Sequence, residues 1–387
     1  VIAAPGNAGI ANVARCAAYG DVRQVVSLAT RERVDLTIVG PEAPLAAGVA
    51  DALRAASVPV FGPGADGARL ESSKAYAKTF MNRHRIPTAE HATFTALEPA
   101  LAHLRSVGTP IVVKDSHLAA GKGVTLAYEP DTAERALRSL FERDHAEVVL
   151  ETLLEGQELS VHVVTDGTHA VTFPLAQDHK QIGEGDTGPM TGGMGAVAPV
   201  PLLSEAKLSR LEDEVVAPVL RGLSEDGIDY RGVLFLGVMW TGDGPKLLEI
   251  NVRFGDPETQ TLLPLLDGSL LAMFDAVDRR ALHTWTPLWK PSTAAATVVL
   301  AAPGYPGAYA RNLPLHIPEA READTYVFHA GTERAGGRLV SSGGRVLAVT
   351  ALEADIPAAV AKAYREIDRI LLPGGIVRRD IGGRLAS

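Results

Sequence analysis

A few polar residues in this chain sit where polar residues are costly, and their types suggest what they could do. Lys114 closes the apolar run Pro110-Ile111-Val112-Val113, and a lysine ending a buried strand needs an anion beside it. The segment Ala119-Ala120-Gly121-Lys122-Gly123 follows and leads to a second strand-like run at 124–128. A tip of small residues lets backbone N–H groups approach phosphate oxygens closely, with Lys122 adding a cation. Taken alone, an ordinary surface loop explains it as well. Glu151 ends the run Val148-Val149-Leu150, and Glu158 follows seven residues later, beyond Gly156. Carboxylates there could accept from an exocyclic amine or from ribose hydroxyls, although a solvated position is the simpler reading of either one alone. The last group is Leu247-Leu248-Glu249-Ile250-Asn251-Val252-Arg253-Phe254-Gly255-Asp256-Pro257-Glu258. On a strand, Glu249, Asn251 and Arg253 share one face while Leu248, Ile250 and Val252 take the other. Two oxygen ligands and a guanidinium suit a Mg²⁺–triphosphate site, because Mg²⁺ takes few protein ligands and completes its octahedron with water and phosphate. Polar alternation by itself also fits a half-exposed edge strand. Asp256-Pro257 reads as the N-cap and first position of a following helix. Together, in this order, the four groups point to a nucleotide triphosphate.

Two familiar phosphate patterns do not account for them. Around Gly121-Lys122 the P-loop positions hold Ser116 and Gly123, so that pattern fails. Gly183-Glu184-Gly185-Asp186-Thr187-Gly188 fits G-x-G-x-x-G literally. It lacks a preceding apolar strand and a following helix, and its two carboxylates would repel a pyrophosphate.

The elements that must position these residues alternate. A strand at 1–4, a helix at 21–33, a strand at 35–39, a helix at 44–56 and a strand at 58–61 predict a parallel α/β unit. It lacks the strand, glycine loop and helix that normally open such a unit, and the chain begins with Val, so the true N-terminus is expected upstream. A helix at 68–84 follows, then strands at 110–114 and 148–151 around an amphipathic helix at 132–143. A hairpin at 157–172 turns at Asp166-Gly167. A glycine-dense stretch at 178–195 precedes a long helix at 204–226 and a second hairpin across 241–244. After a proline-bearing linker to Pro291, the remainder holds short strands and one helix at 356–371. No internal repeat is present.

Composition narrows the class. Of 387 residues, 37 are Lys or Arg and 46 Asp or Glu, for a net charge of −9. That balance argues against an electrostatic nucleic-acid binder. A single cysteine, Cys16, excludes an internal disulfide framework and a cysteine zinc site. No membrane-length apolar run or signal peptide is present, so a soluble cytoplasmic protein is expected. The 38 glycines and 25 prolines exceed the usual share of about 12% and place part of the excess in loops with a purpose.

The residues resemble the ATP-grasp superfamily, and within it the glycinamide ribonucleotide synthetase family of purine biosynthesis. Ala4-Pro5-Gly6-Asn7-Ala8-Gly9 and Val39-Gly40-Pro41-Glu42-Ala43-Pro44-Leu45 are similar to that family's N-terminal domain. Leu118-Ala119-Ala120-Gly121-Lys122-Gly123-Val124 resembles its phosphate loop. Asp186-Thr187-Gly188-Pro189 with Thr191-Gly192-Gly193-Met194-Gly195 resembles its substrate loop, and Arg253-Phe254-Gly255-Asp256-Pro257-Glu258-Thr259-Gln260 its signature. Gly304-Tyr305-Pro306-Gly307, Phe328-His329-Ala330-Gly331-Thr332 and Gly343-Gly344-Arg345-Val346-Leu347 look like its C-terminal domain.

The fold implied is α/β in three domains. These are an incomplete Rossmann-like N-terminal domain (1–66), an ATP-grasp domain (67–290, with a mobile lid at about 87–155) and a small mixed α+β C-terminal domain (291–387). The activity implied is ATP-dependent ligation of glycine to 5-phosphoribosylamine through a glycyl phosphate, by a monomer with no nucleic-acid or membrane partner. The resemblance implies Lys74, Lys114, Gly121, Lys122 and Gly123 at the ATP phosphates, Glu151, Leu153 and Leu154 at adenine, and Glu158 at the ribose. It implies Glu249 and Asn251 as ligands of Mg²⁺ or Mn²⁺, and Arg253 and Lys114 in phosphoryl transfer. Gly6, Asn7, Pro41, Glu42, Asp178, Asp186, Thr187, Gly188, Pro189, Gly192, Gly193, Met194, Gly195 and Asp256 would serve the other substrates. The chain departs from the family at Ser116 and His117, where aspartate and glycine are usual, and at Met190, where asparagine is usual. The family's Gly-Gly-Arg-Glu-His-Ala opening, which helps bind the ribosyl phosphate, is also missing. These departures bear on efficiency and substrate fit more than on fold. A non-catalytic nucleotide-binding homologue and an ATP-grasp ligase for another acid and amine are the alternatives.

Overall fold

The structure, a computed structural model, describes residues 1–118, 123–201 and 204–385. At the N-terminal end, β1 (Ile2–Ala3) pairs in parallel with β2 (Arg15–Cys16). After α1 (Val22–Glu32), whose N-cap Asp21 accepts from the Gln24 N–H, β3 (Thr37–Ile38) pairs in parallel with β4 (Val60–Phe61). The helix expected at 44–56 is two, α2 (Glu42–Ala46) and α3 (Val49–Ala55). Gly48 breaks it by taking the left-handed conformation, φ 79°. The helix expected at 68–84 is likewise two, α4 (Ala65–Ser72) and α5 (Lys74–Arg83). Ser73 leaves helical geometry between them and caps α5 by accepting from the Tyr76 N–H.

A small antiparallel sheet comes next, in the order β5 (His91–Phe94), β8 (Val148–Thr152), β6 (Ile111–Asp115), β7 (Val124–Ala127). Two amphipathic helices, α6 (Leu97–Val107) and α7 (Pro130–Phe141), close one face around Leu101, Leu104, Leu137 and Val148. Pro130 opens α7, where its missing N–H costs nothing.

The central sheet runs β10 (Ala170–Thr172), β9 (Gln157–Thr165), β15 (Gly232–Thr241), β16 (Gly244–Asn251), all antiparallel. Its core face packs Val161, Leu234, Leu236 and Ile250 against Leu45, Leu53, Phe80 and Met81, so the N-terminal unit shares one core with it. The helix expected at 204–226 comprises α8 (Glu205–Leu211) and α9 (Ala217–Glu225), joined through a π-helical turn at Glu212–Val216.

The C-terminal unit is built on a third antiparallel sheet, whose membership differs from the sequence expectation. Between β9 and β15 the chain forms β11 (Gln177–Asp178), the hairpin β12 (Gln181–Gly183) and β13 (Thr187–Met190), and β14 (Gly195–Ala198). The C-terminal sheet then runs β11, β14, β17 (Ala294–Ala301), β21 (Arg345–Glu353), β18 (Thr325–His329). The glycine-dense stretch is therefore sewn into the unit beyond residue 291. The small residues of Gly195-Ala196-Val197-Ala198 allow this, because all four are buried. The last regular helix, here α10 (Ile356–Ile367), covers one face of that sheet through Ala359, Ala363 and Ile367.

Candidate functional site

A cleft of about 1100 Å³ opens between the small sheet and the central sheet, with the C-terminal unit at one end. Three ionic groups organise it.

The first lies where α5 faces β6 and β8. Lys74 and Lys78, four residues apart, point from one face of α5 into the cleft. Glu151 on β8 takes Lys114 Nζ at 2.8 Å and Lys78 Nζ at 3.1 Å, and all three side chains are buried. Burial alone would raise the Glu151 carboxyl, but the two lysines overcome that and lower it. Burial and the neighbouring Lys114 charge bring Lys78 down to about 8. Lys78 also donates to Thr88 Oγ1 at 2.8 Å, so it is a fixture of the wall, whereas Lys74 donates to the His117 carbonyl at 3.2 Å. Ser116 secures the start of α5 with both backbone and side chain, since Ser116 O accepts from the Lys74 N–H and Ser116 Oγ from the Ala75 N–H.

The second group surrounds Glu249. Along β16 and just past its end, the expected face alternation holds for Glu249, Asn251 and Arg253 and for Ile250 and Val252, but not for Leu248. Gly237 pairs with Glu249 and Val238 with Leu247, leaving Leu248 as an extra residue. The bulge puts Leu247 in the core and turns Leu248 into the cleft. A Cβ on Gly237 would stand 3.1 Å from Glu249 Cγ, so the bare backbone opposite makes room for the carboxylate. Burial would raise Glu249, but Lys180, Lys114 and Lys74, with the Asn251 amide, hold it at about 2. It is a fixed anion among lysines. Lys180 Nζ lies 2.5 Å from Glu158 Oε1 and 3.5 Å from Glu249 Oε1, and these carboxylates raise it well above the lysine range against its burial.

The third group ties the cleft to the neighbouring units. Arg253 Nε meets Glu42 Oε2 at 3.0 Å, and its Nη2 meets Glu71 Oε1 at 3.0 Å. Arg345, at the start of β21, donates to Asp256 Oδ2 at 3.0 Å and to the Gly192 carbonyl at 2.8 Å. Gly193 is required there. Its φ is 114°, and a Cβ would fall 2.5 Å from Pro257 and 2.9 Å from Asp178 Oδ1. Asp178 and Glu258 are both buried, and burial together with their mutual repulsion raises the Asp178 carboxyl well above its usual range.

Pro41, Glu42, Lys74, Lys114, Gly123, Glu151, Leu153, Leu154, Glu158, Asp178, Asp186, Gly192, Glu249, Asn251, Arg253 and Asp256 all line this one cleft. Val112, Leu126, Met239 and Leu248 give it an apolar wall. Gly121 and Lys122 lie outside the described residues. Gly193 lies behind the cleft wall against Asp178 and Pro257, and Gly6, Asn7, Thr187, Gly188, Pro189, Met194 and Gly195 are placed elsewhere. Asn7 donates to the His329 carbonyl at 2.7 Å and so fastens the N-terminal loop to the C-terminal unit. Met194 is fully buried in an apolar cluster with Val299 and Ala348. Thr187, Gly188 and Pro189 are exposed on the β12–β13 hairpin. Asp186, at the tip of that hairpin, is gripped by Arg378 and Arg384 from the chain's end. Asp256 does not cap the next helix, which begins at Glu258 with Pro257 at its N-cap position; its carboxylate is taken by Gln260 and Arg345.

Sequence reasoning missed Lys78, Lys180, Glu71, Glu258 and Arg345 as cleft residues. The spacing of Lys74 and Lys78 was a usable signal, as was the two-residue step from Asp178 to Lys180. Nothing local marked Glu71 or Arg345.

His162 supports the signature from behind. It is completely buried, stacks on Phe235 at 4.5 Å, and accepts from the Gly255 N–H at 3.1 Å. Burial and the Arg253 charge bring its imidazole down to about 3. The folded chain therefore keeps it neutral while the unfolded chain protonates it below about 6.5. Its contribution is complete above that pH and is lost as pH falls toward 3, at about 1.4 kcal/mol per unit. Thermal melts should show the wild type losing stability relative to His162→Gln between pH 7 and 5. Parallel curves would contradict the neutral assignment.

Among the described residues no helix is long and apolar enough to cross a membrane. Family models for the phosphoribosylglycinamide synthetase N domain, ATP-grasp (A) domain and C domain match residues 1–71, 72–259 and 295–384. The phosphoribosylamine–glycine ligase of Agrobacterium fabrum is 45% identical over 98% of this chain and 91% of its own length. That of Pseudomonas aeruginosa is 46% identical over 99% and 92%. The crystal structure of the Thermotoga maritima phosphoribosylamine–glycine ligase superposes with a TM-score of 0.83 at 31% identity, covering 98% of this chain and 93% of that one. The biotin carboxylase of Campylobacter jejuni, at 13% identity and a TM-score of 0.74 over 100% of this chain and 89% of that one, shares the fold.

Proposed function

Since the chain belongs to the phosphoribosylglycinamide synthetase family, we propose that its cleft divides ATP-dependent ligation of glycine to 5-phosphoribosylamine among the residues as follows. The enzyme is an ATP-dependent carbon–nitrogen ligase of de novo purine biosynthesis. The observation that carries the division of labour is the ring of Lys74, Lys114 and Lys180 around one ionised carboxylate, Glu249. Such a ring suits a polyphosphate with a divalent cation.

The apolar wall and the connector at Leu153 and Leu154 hold adenine, and Glu158 takes the ribose. Lys74 and Lys114 meet the phosphates, the first from α5 and the second from the lid at 87–155. Glu249 and Asn251 fit Mg²⁺ or Mn²⁺. Asn251 Nδ2 is directed to the Phe235 carbonyl at 3.5 Å, leaving its oxygen for a hard cation. Among the described residues no three His, Cys, Asp or Glu side chains gather as a cage, which suits an ion that relies on water and phosphate. When bound, that ion would neutralise charge on the phosphates. The glycine carboxylate attacks the γ-phosphorus, breaking the bond to ADP and giving glycyl phosphate. Arg253 offers its guanidinium to the transferring group, where electrostatic positioning is the main task. The phosphoribosylamine nitrogen then attacks the acyl carbon, forming the amide as phosphate leaves and a proton is released. Asp178 and Glu258, beside Gly192 and Asp256, serve the ammonium-bearing substrates.

ADP release with ATP, Mg²⁺, glycine and fresh phosphoribosylamine, omitting each in turn, tests this reading. Turnover should need both glycine and the amine. ADP release that ignores either one would sink it. Lys114→Ala should keep the fold, because Glu151 retains Lys78. It should raise the KM for ATP about 30-fold, the worth of one hydrogen bond to a charged group. An unchanged KM would remove Lys114 from the phosphate site.

A further inference from the structure

We infer that Glu71 is a positioning residue for phosphoryl transfer, holding the Arg253 guanidinium at the mouth of the phosphate site through a two-point grip on residues 252 and 253. The inference rests on the role given to Arg253 above.

Glu71 is the penultimate residue of α4, three residues before Lys74. One carboxylate oxygen meets Arg253 Nη2 at 3.0 Å, and the other accepts from the Val252 N–H at 2.7 Å. A single side chain therefore fixes both the backbone immediately after Asn251 and the side chain that follows. The other two guanidinium nitrogens each have a partner as well, Nε in Glu42 and Nη1 in the Phe254 carbonyl at 3.2 Å, which brings the N–H bonds with a named partner to three of the five. Glu42 is half-buried, while the Glu71 side chain is only 9% exposed, so Glu71 is the more firmly placed of the two anchors.

The grip is costly. Burial pushes the Glu71 carboxyl up to about 7, even though Arg253 and the Val252 N–H pull it down. An apolar residue at the end of α4 would avoid that cost but would leave Arg253 without a fork partner. Arginine has a long, rotamer-rich side chain, and placing it within a fraction of an ångström is what a transition-state contact requires. Glu71 also connects a lysine-bearing element to the segment assigned to the metal. It lies on the helix leading into Lys74 and reaches to the segment that carries Glu249 and Asn251.

The test is a double-mutant cycle in the full chain, read by glycine- and amine-dependent ADP release with circular dichroism as the folding control. Glu71→Ala should lower kcat about 100-fold while the KM for ATP stays within about threefold, the signature of a contact made in the transition state. Glu71→Gln, which keeps one acceptor, should lose less, and it stands in if the alanine variant does not fold. Glu71→Ala added to Arg253→Ala should cost nothing further. The inference is overturned if both Glu71 variants keep kcat within twofold. It is also overturned if Glu71→Ala costs the same factor with and without Arg253. Wild-type kcat in Arg253→Ala alone would be a different failure, overturning the role of Arg253 itself and this inference with it.

Discussion

Glu249→Ala is expected to cut turnover by about 1000-fold, the upper range for losing one preorganised charge at a phosphoryl-transfer centre, and to leave the fold in place. Two features of the site make the effect large. Lys180, Lys114 and Lys74 all act on this one carboxylate and hold it ionised, down to about 2. Its removal therefore takes away a metal ligand and leaves three cations facing one another. The fold survives because β16 is secured by Leu247, Ile250 and Val252 on its other side. The effect has a second readout, because raising Mg²⁺ should not restore the rate, whereas a variant with merely weakened nucleotide binding would recover at high ATP. Activity within tenfold of wild type, at unchanged metal dependence, would refute the metal assignment.

Lys180→Ala is expected to lower kcat by about 100-fold or more, although nothing in the motifs marked this residue. Lys180 stands between the ribose-side Glu158 and the metal-side Glu249. Asp178 and Glu258, both buried, also feel its charge. Without it, four carboxylates share the region with fewer cations to offset them, Lys114 and Lys74 still facing Glu249 and Arg253 facing Glu258, and protonation is the cheapest relief. The variant should therefore recover part of its rate as pH is lowered and the carboxyls of Asp178 and Glu258, already raised by burial, take up protons, while the wild type does not. A flat pH response with near-normal kcat would show that Lys180 only fills space. Its backbone is fixed independently, since the Thr191 N–H and hydroxyl both donate to the Lys180 carbonyl at 2.7 Å, so the substitution tests the ammonium and not the loop.

Much of this site was legible because the chemistry-bearing residues end apolar strands. Lys114, Glu151 and the Glu249–Arg253 segment were located by the polarity change at a strand terminus, and period-2 alternation put three of them on one face. The same alternation misplaced Leu248, because a β-bulge inserts a residue and nothing in Leu247-Leu248 says which one the core takes. The glycine-dense stretch was recognised as a loop system but not as part of the C-terminal sheet. Pairing of β14 with β17 joins residues about a hundred positions apart, and no local pattern encodes that partner. Asn7 looked like a ligand residue from its motif, yet its amide is committed to carbonyls across the chain. The breaks at Gly48 and Ser73 were not read, although a glycine and a capping residue stood within the otherwise helical patterns. Glu71 and Arg345 were invisible in sequence, because each acquires its meaning only from a partner on a distant element.

Oxygen transfer from glycine tests the central claim most directly. Glycine labelled with ¹⁸O in both carboxylate oxygens is supplied with ATP, Mg²⁺ and phosphoribosylamine, and the released phosphate is analysed by mass. Attack of the carboxylate on the γ-phosphorus, followed by displacement at the acyl carbon, must leave one labelled oxygen in each phosphate and one in the product amide. Phosphate carrying no label, while ADP and product still form, would contradict a glycyl phosphate route in this cleft.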